Sequence, residues 1–263
     1  MYRQRYCRLA VCLSYTPAMP IILAVANQKG GCGKTTTVMN LAGGLTKAKY
    51  RVQVVDADPQ ASAMIWSLAR GQESLPFDVT TARQLKGRVS AVGDGYDIAL
   101  VDCPPGVASA SDDDTKFARQ VLMAADAVLV PLRPSTLDFS AAATFVRYLA
   151  KVKMPETKTA VLINGRQHTV LGREAPHQAA VLFAPIAGAI VLETTIGLRA
   201  PITEVSGSGS TIFDYAPSHE AAREYTNLTK EILQWLTNAP HWPHTSLPTS
   251  TWPLPLSESA ETL

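Results

Sequence analysis

The sequence predicts an α/β fold of the doubly wound kind, a mostly parallel sheet with helices on both faces. Three observations predict it. Short β-branched apolar runs alternate with stretches of helical period along the chain. Two of those runs, Val52 to Asp56 and Ile98 to Asp102, end in a carboxylate, and the carboxyl ends of parallel strands are where ligands bind. The first run leads directly into a turn rich in glycine, with Gly30, Gly31 and Gly33, that opens a helix.

Taken in order, a strand is predicted from Ile21 to Asn27 and a helix from Lys34 to about Lys47, then a strand from Val52 to Asp56 and a helix from Ala61 to Leu68. Strands follow at Ile98 to Asp102, Ala127 to Pro131 and Ala160 to Asn164, with helices from Thr115 to Ala125 and Phe139 to Lys151 between them. A helix from Ala175 to Ala187, a strand from Ile190 to Thr195 and an amphipathic helix from Ser218 to Leu236 complete the pattern.

The ends read differently. Residues 1 to 18, with Arg3, Arg5 and Arg8 ahead of the apolar Leu9 to Leu13, faintly resemble a secretory leader. Met19 then opens a natural first strand, so these residues read as an appendage or an upstream start, and the folded domain is expected to span 19 to 238. From 239 to 263 the composition shifts. Pro240, Pro243, Pro248, Pro253 and Pro255 interleave with Ser and Thr, without Lys or Arg, which predicts a disordered tail.

The chain of 263 residues carries +2, and without the three arginines of the appendage −1. A bulk basic surface is therefore excluded, and any nucleic-acid binding has to come from a local patch. No apolar run approaches the roughly 20 residues of a membrane-spanning helix. Cys7, Cys12, Cys32 and Cys103 show no CxxC spacing, so reduced thiols are expected rather than a zinc site or a disulfide framework.

The chemistry concentrates in Asn27-Gln28-Lys29-Gly30-Gly31-Cys32-Gly33-Lys34-Thr35-Thr36-Thr37. Glycines between a buried strand and a helix let successive backbone N–H groups converge on phosphate oxygens, and the helix N-terminus adds partial positive charge. Lys34 is placed to reach the β and γ phosphates of a nucleotide, and the Thr35 hydroxyl to ligate Mg²⁺. The general pattern GxxxxGK[ST] fails in one place, since its first Gly falls on Gln28, and a second lysine, Lys29, precedes Lys34 by five residues.

That loop resembles the deviant Walker A box of the ParA/MinD ATPases. The resemblance implies that Lys29 reaches across a dimer interface to the partner's nucleotide, while Gly30, Gly31, Cys32, Gly33, Lys34, Thr35 and Thr36 cradle their own. Two further segments extend it. Asp56-Ala57-Asp58-Pro59-Gln60 resembles the switch I segment, which implies that Asp58 orients the attacking water, with Asp56 in support near the metal. Ile98 to Gly106, with Asp102-Cys103-Pro104-Pro105, resembles Walker B and switch II, which implies that Asp102 holds Mg²⁺. Val130 to Ala142 is similar to a segment of small ParF-like partition ATPases, and Asn164 is the candidate contact for adenine.

The resemblance implies an ATP-sandwiched homodimer, slow hydrolysis stimulated by a small adaptor of the ParB type, nonspecific DNA binding in the ATP state, and a cytoplasmic, nucleoid-associated protein. Arg199 leads the candidate DNA contacts, with Arg223 and Lys230 and, less directly, Arg166 and Arg173. The cargo stays open between DNA partition and a protein assembly such as carboxysomes or chemoreceptor clusters. A membrane role like that of MinD calls for a basic amphipathic C-terminal helix, which the Pro-rich tail does not provide. A metabolic phosphotransferase calls for a substrate pocket that no motif marks.

Overall fold

The computed structural model describes residues 19–69, 75–108, 113–152 and 158–237. The expected extension 1–18 and tail 239–263 lie outside the described residues. The chain forms β1 (Ile21–Val25), α1 (Lys34–Lys47), β2 (Val52–Asp56), α2 (Ser62–Leu68), β3 (Asp78–Thr81), β4 (Ile98–Asp102), α3 (Asp113–Ala124), β5 (Ala127–Leu132) and α4 (Thr136–Val152). It continues with β6 (Lys158–Arg166), α5 (Val170–Phe183), β7 (Ala189–Val191), β8 (Ile196–Gly197), α6 (Ala200–Glu204), α7 (Ile212–Tyr215) and α8 (Glu220–Thr237).

The strands run parallel in the order β3-β2-β4-β1-β5-β6-β7, and β8 pairs with the far end of β6. The period of two along each strand explains the layers. Leu23 and Val25 face one core with Leu41, Trp66, Phe213 and Leu228, so α1, α2, α7 and α8 cover that side. Ala24 and Ala26 face the other with Phe117, Phe145 and Phe183, so α3, α4 and α5 cover the reverse. Central strands buried on both faces are near-continuous apolar text, as in the fully buried Val52–Asp56 and Ile98–Asp102.

Several elements differ from the sequence reading, which did not contain the short helices α6 and α7. β3 was not predicted: Asp78-Val79-Thr80-Thr81 is an edge strand, mostly half-buried, and its polar text hides the signal. Of the predicted strand at Ile190 to Thr195 only Ile190 and Val191 are strand, in β7, and a further short strand, β8, begins beyond it at Ile196; β7 pairs with Thr159 to Val161 of β6, and β8 pairs further along β6 across a register shift between Asn164 and Arg166. α5 begins at Val170, where the Thr169 hydroxyl caps the Gly172 N–H at 3.1 Å, so Pro176 lies inside the helix instead of opening it.

Candidate nucleotide site

β1 stops at Val25 and the chain turns through residues 27 to 33 into α1. The turn is tied down on both sides. The Asn27 side chain donates to the Pro131 carbonyl of β5 at 2.8 Å, and Asn164 of β6 donates to the Cys32 carbonyl at 2.8 Å. Gly33 has φ +87°, and a Cβ there would lie 2.1 Å from Asn164 Nδ2. Only glycine meets both demands. Gly33 gives α1 no side-chain cap, and the first turn holds no acidic residue. The opening N–H groups are thus left for an external anion.

Lys34 is buried and its Nζ donates to the Lys29 carbonyl at 3.0 Å, folding back over the loop. Lys29 points elsewhere. Its Nζ lies 2.9 Å from Asp138 Oδ1 at the start of α4. Ser135 and Asp138 form a reciprocal cap, with the Ser135 hydroxyl 2.6 Å from Asp138 Oδ2 and accepting from the Asp138 N–H at 3.1 Å. Burial pushes the Asp138 carboxyl up, but the Ser135 hydroxyl and Lys29 outweigh it and hold it below the usual carboxylate range. Cys32 is buried beside them, and burial raises its thiol against the pull of Lys34. That shift favours the thiol over the thiolate, and its Sγ donates to the Lys29 carbonyl at 3.4 Å within the loop.

Asp56 and Asp102 end neighbouring strands in register. The Thr35 hydroxyl donates to Asp102 Oδ2 at 2.6 Å, while Asp102 Oδ1 is buried with no hydrogen-bond partner. Burial pushes the Asp102 carboxyl up to about 7; the Thr35 hydroxyl acts against this and the Asp56 charge adds to it. A buried carboxylate with one oxygen unpartnered, beside a threonine hydroxyl, fits a hard divalent cation with oxygen ligands. Asp56 is differently engaged. Its two oxygens accept the N–H groups of Asp58 at 3.2 Å and Met64 at 2.9 Å, so it braces the loop that carries Asp58. Asp58 accepts the Gln60 N–H at 2.9 Å and lines a cavity of about 580 Å³ with Asp56, Thr81, Arg83 and Phe117.

On the opposite flank, beyond Asn164, a smaller cavity of about 300 Å³ is lined by Arg166, Gln167, His168, Gly197, Leu198 and Arg199. Sequence reasoning passed over this cavity, and over Asp138 and Glu224 as partners of named cations. Ser135-Thr136-Leu137-Asp138 carries the spacing of a capping box, a local signal that marked the position, though not its link to Lys29.

The candidate DNA contacts do not share one environment. Arg199, the leading candidate, is held by two carboxylates, Nη1 at 2.7 Å from Glu220 and Nη2 at 2.7 Å from Glu224, and its side chain is only 17% exposed. Its charge is neutralised within the fold, so it presents no free cation to a phosphate. Arg223 is exposed, with Nη1 donating to the Ser218 carbonyl at 3.2 Å. Lys230 is half-buried on the same helix.

Residues 23–191 match the profile of the CobQ/CobB/MinD/ParA nucleotide binding domain. The chain belongs to this family. Among relatives of this ParA-type chain, the maintenance of carboxysome distribution protein A of Gloeobacter kilaueensis is 40% identical over 154 residues, 58% of this chain and 62% of that protein. The match thus spans less than two thirds of that relative. The chromosome-partitioning ATPase Soj of Thermus thermophilus is 28% identical over 248 residues, covering 80% of this chain and 94% of Soj. Among solved structures, the septum site-determining protein MinD of Pyrococcus horikoshii, complexed with Mg-ADP, superposes with a TM-score of 0.64 at 18% identity, over 81% of this chain and 96% of that one. That superposition supports the fold of the ParA-type chain.

Proposed function

We propose that this ParA-type chain binds ATP with Mg²⁺ at the α1 N-terminus, pairs with a second copy across the nucleotide, and in that state holds duplex DNA without sequence preference. A small adaptor protein of the ParB type stimulates hydrolysis and links the switch to its cargo. The observation that carries this reading is Lys29. It sits at the mouth of the phosphate loop, 37% exposed, and its ammonium group is directed to Asp138 while Lys34 occupies the loop interior. A cation so placed is available to a neighbouring molecule's phosphates at the cost of one ion pair.

The chain's own residues divide the work. The N–H groups of residues 30 to 35 and Lys34 bind the phosphates, and Thr35 and Asp102 hold the metal, a reading supported by their mutual hydrogen bond and by the unpartnered Asp102 Oδ1. When bound, Mg²⁺ neutralises phosphate charge and fixes the phosphate oxygens in position. Asp58, on the loop that Asp56 braces, orients water. No strong general base stands beside it, so unstimulated turnover is slow, as suits a timer. The cavity of about 300 Å³ at the ends of β6 and β8 receives the base, since Asn164 joins that flank to the phosphate loop.

DNA binding rests on Arg223 and Lys230, seven residues apart on one face of α8. Two-fold pairing doubles any such patch, which multiplies affinity and steepens its salt dependence. Such a protein is cytoplasmic and nucleoid-associated. Partition of DNA is the first reading of the cargo. The 40% identity to a protein named for carboxysome distribution favours a protein assembly as the second. A mobility shift with unrelated duplexes in ATP, ADP and no nucleotide tests the tether. Retention in ATP alone, falling steeply with salt, supports it; equal retention in all three, or none, overturns it.

A further inference from the structure

The segment that closes the smaller cavity is suspended from α8. Glu231 accepts the N–H groups of Glu193 at 2.6 Å and Thr194 at 2.9 Å. Seven residues earlier on the same helix, about two turns, Glu224 accepts the Gly197 N–H at 3.0 Å and pairs with Arg199, and Glu220 holds the other end of that guanidinium. Arg199 in turn lies against Gly197 so closely that a Cβ there would meet its Nε at 2.9 Å and its Cζ at 3.1 Å. A side chain at 197 would push that guanidinium aside.

The clamp has a wall to hold. β8 contains two residues, too few to fix its own position, and it joins β6 where the register slips. Its end is bound to Arg166 by the Leu198 N–H on the Arg166 carbonyl at 2.9 Å. Arg166 itself offers a buried Nε with no hydrogen-bond partner. Arg166 pairs with Gly197 in the β6–β8 ladder and lines the same cavity beside Gly197 and Leu198, where a planar guanidinium suits a flat heteroaromatic ring that can stack on it.

We infer that Glu224 is a positioning residue for nucleoside recognition: by holding Gly197 and Arg199 it sets the wall beside Arg166, and so governs affinity for the base without touching the phosphates. This rests on the reading that the cavity receives the base. Arg199 is then part of the nucleotide site's scaffold, and its ion pairs serve the wall.

The test separates base from phosphate. Equilibrium affinities of the full chain for ATP and for inorganic tripolyphosphate, both with Mg²⁺, are measured by calorimetry for the native chain, Glu224→Ala and Glu224→Gln. Losing a charged hydrogen-bond partner is worth about 1.5–3 kcal/mol, so Glu224→Ala is expected to weaken ATP binding at least about tenfold. Tripolyphosphate affinity is expected to hold within about twofold. Glu224→Gln keeps an acceptor for the Gly197 N–H and should recover part of the loss; it also carries the test if the alanine variant does not fold. Equal weakening of both ligands, or no change in either, overturns the inference. A native chain that binds tripolyphosphate as tightly as ATP overturns the base pocket itself, and one that binds neither overturns the nucleotide reading independently of Glu224.

Discussion

Lys29 and Asp138 face each other across the mouth of the phosphate loop, Nζ to Oδ1 at 2.9 Å, although 108 residues lie between them in sequence. The pair ties the loop to the first turn of α4. It also occupies the lysine that the proposed dimer needs.

Freeing that lysine should favour association. Asp138→Asn removes the charge but leaves a cap for α4, and a partly exposed ion pair is worth about 0.2–1 kcal/mol. Two such pairs open per dimer, so the ATP-dependent dimer is expected at about two- to thirtyfold lower protein concentration than in the native chain. Sedimentation across a concentration series reads this. An unchanged or weakened dimer would mean that Asp138 does not compete for Lys29.

Asp58→Ala should bind ATP and dimerise yet fail to hydrolyse, because Asp58 sits on the braced loop and not in the phosphate cradle. Turnover assays with sedimentation in ATP check both halves. A variant that stays monomeric in ATP would assign Asp58 to nucleotide binding instead.

The metal site makes a separate demand. Asp102→Ala removes the buried carboxylate whose Oδ1 lacks a partner. In the native chain, Mg²⁺ is expected to tighten ATP binding; in the variant, affinities with and without Mg²⁺ should converge. Calorimetry in magnesium and in chelator decides it, and an undiminished magnesium effect would place the metal elsewhere.

Gly33→Ala forces a Cβ to within 2.1 Å of Asn164 Nδ2 at a backbone φ of +87°. Strain in that region is of order 1–3 kcal/mol, so the thermal midpoint should fall and phosphate binding should be lost. The double variant with Asn164→Ala relieves the clash but not the φ strain. It should recover part of the stability; full recovery would show that the backbone conformation carries no strain.

The sequence by itself determined the elements whose information is local. β2 and β4 are predicted to the residue, Val52–Asp56 and Ile98–Asp102, because a strand buried on both faces is written as a near-continuous apolar run, broken in β2 only by Gln53, and closed by its polar end. The phosphate loop is legible for a related reason: its glycines, lysines and threonines act through backbone conformation and the start of one helix, all within eleven residues. What only the tertiary structure decided joins distant segments. Asn164 reaches the Cys32 carbonyl across 132 residues of chain because strand order sets β6 beside the loop. Arg199 reads as a free surface cation in sequence, and becomes a clamped one because α8 lays Glu220 and Glu224 against it. A side chain's type is fixed by its own position, but the charge it shows to the outside depends on which carboxylates the fold brings within hydrogen-bonding distance, and no local pattern encodes that.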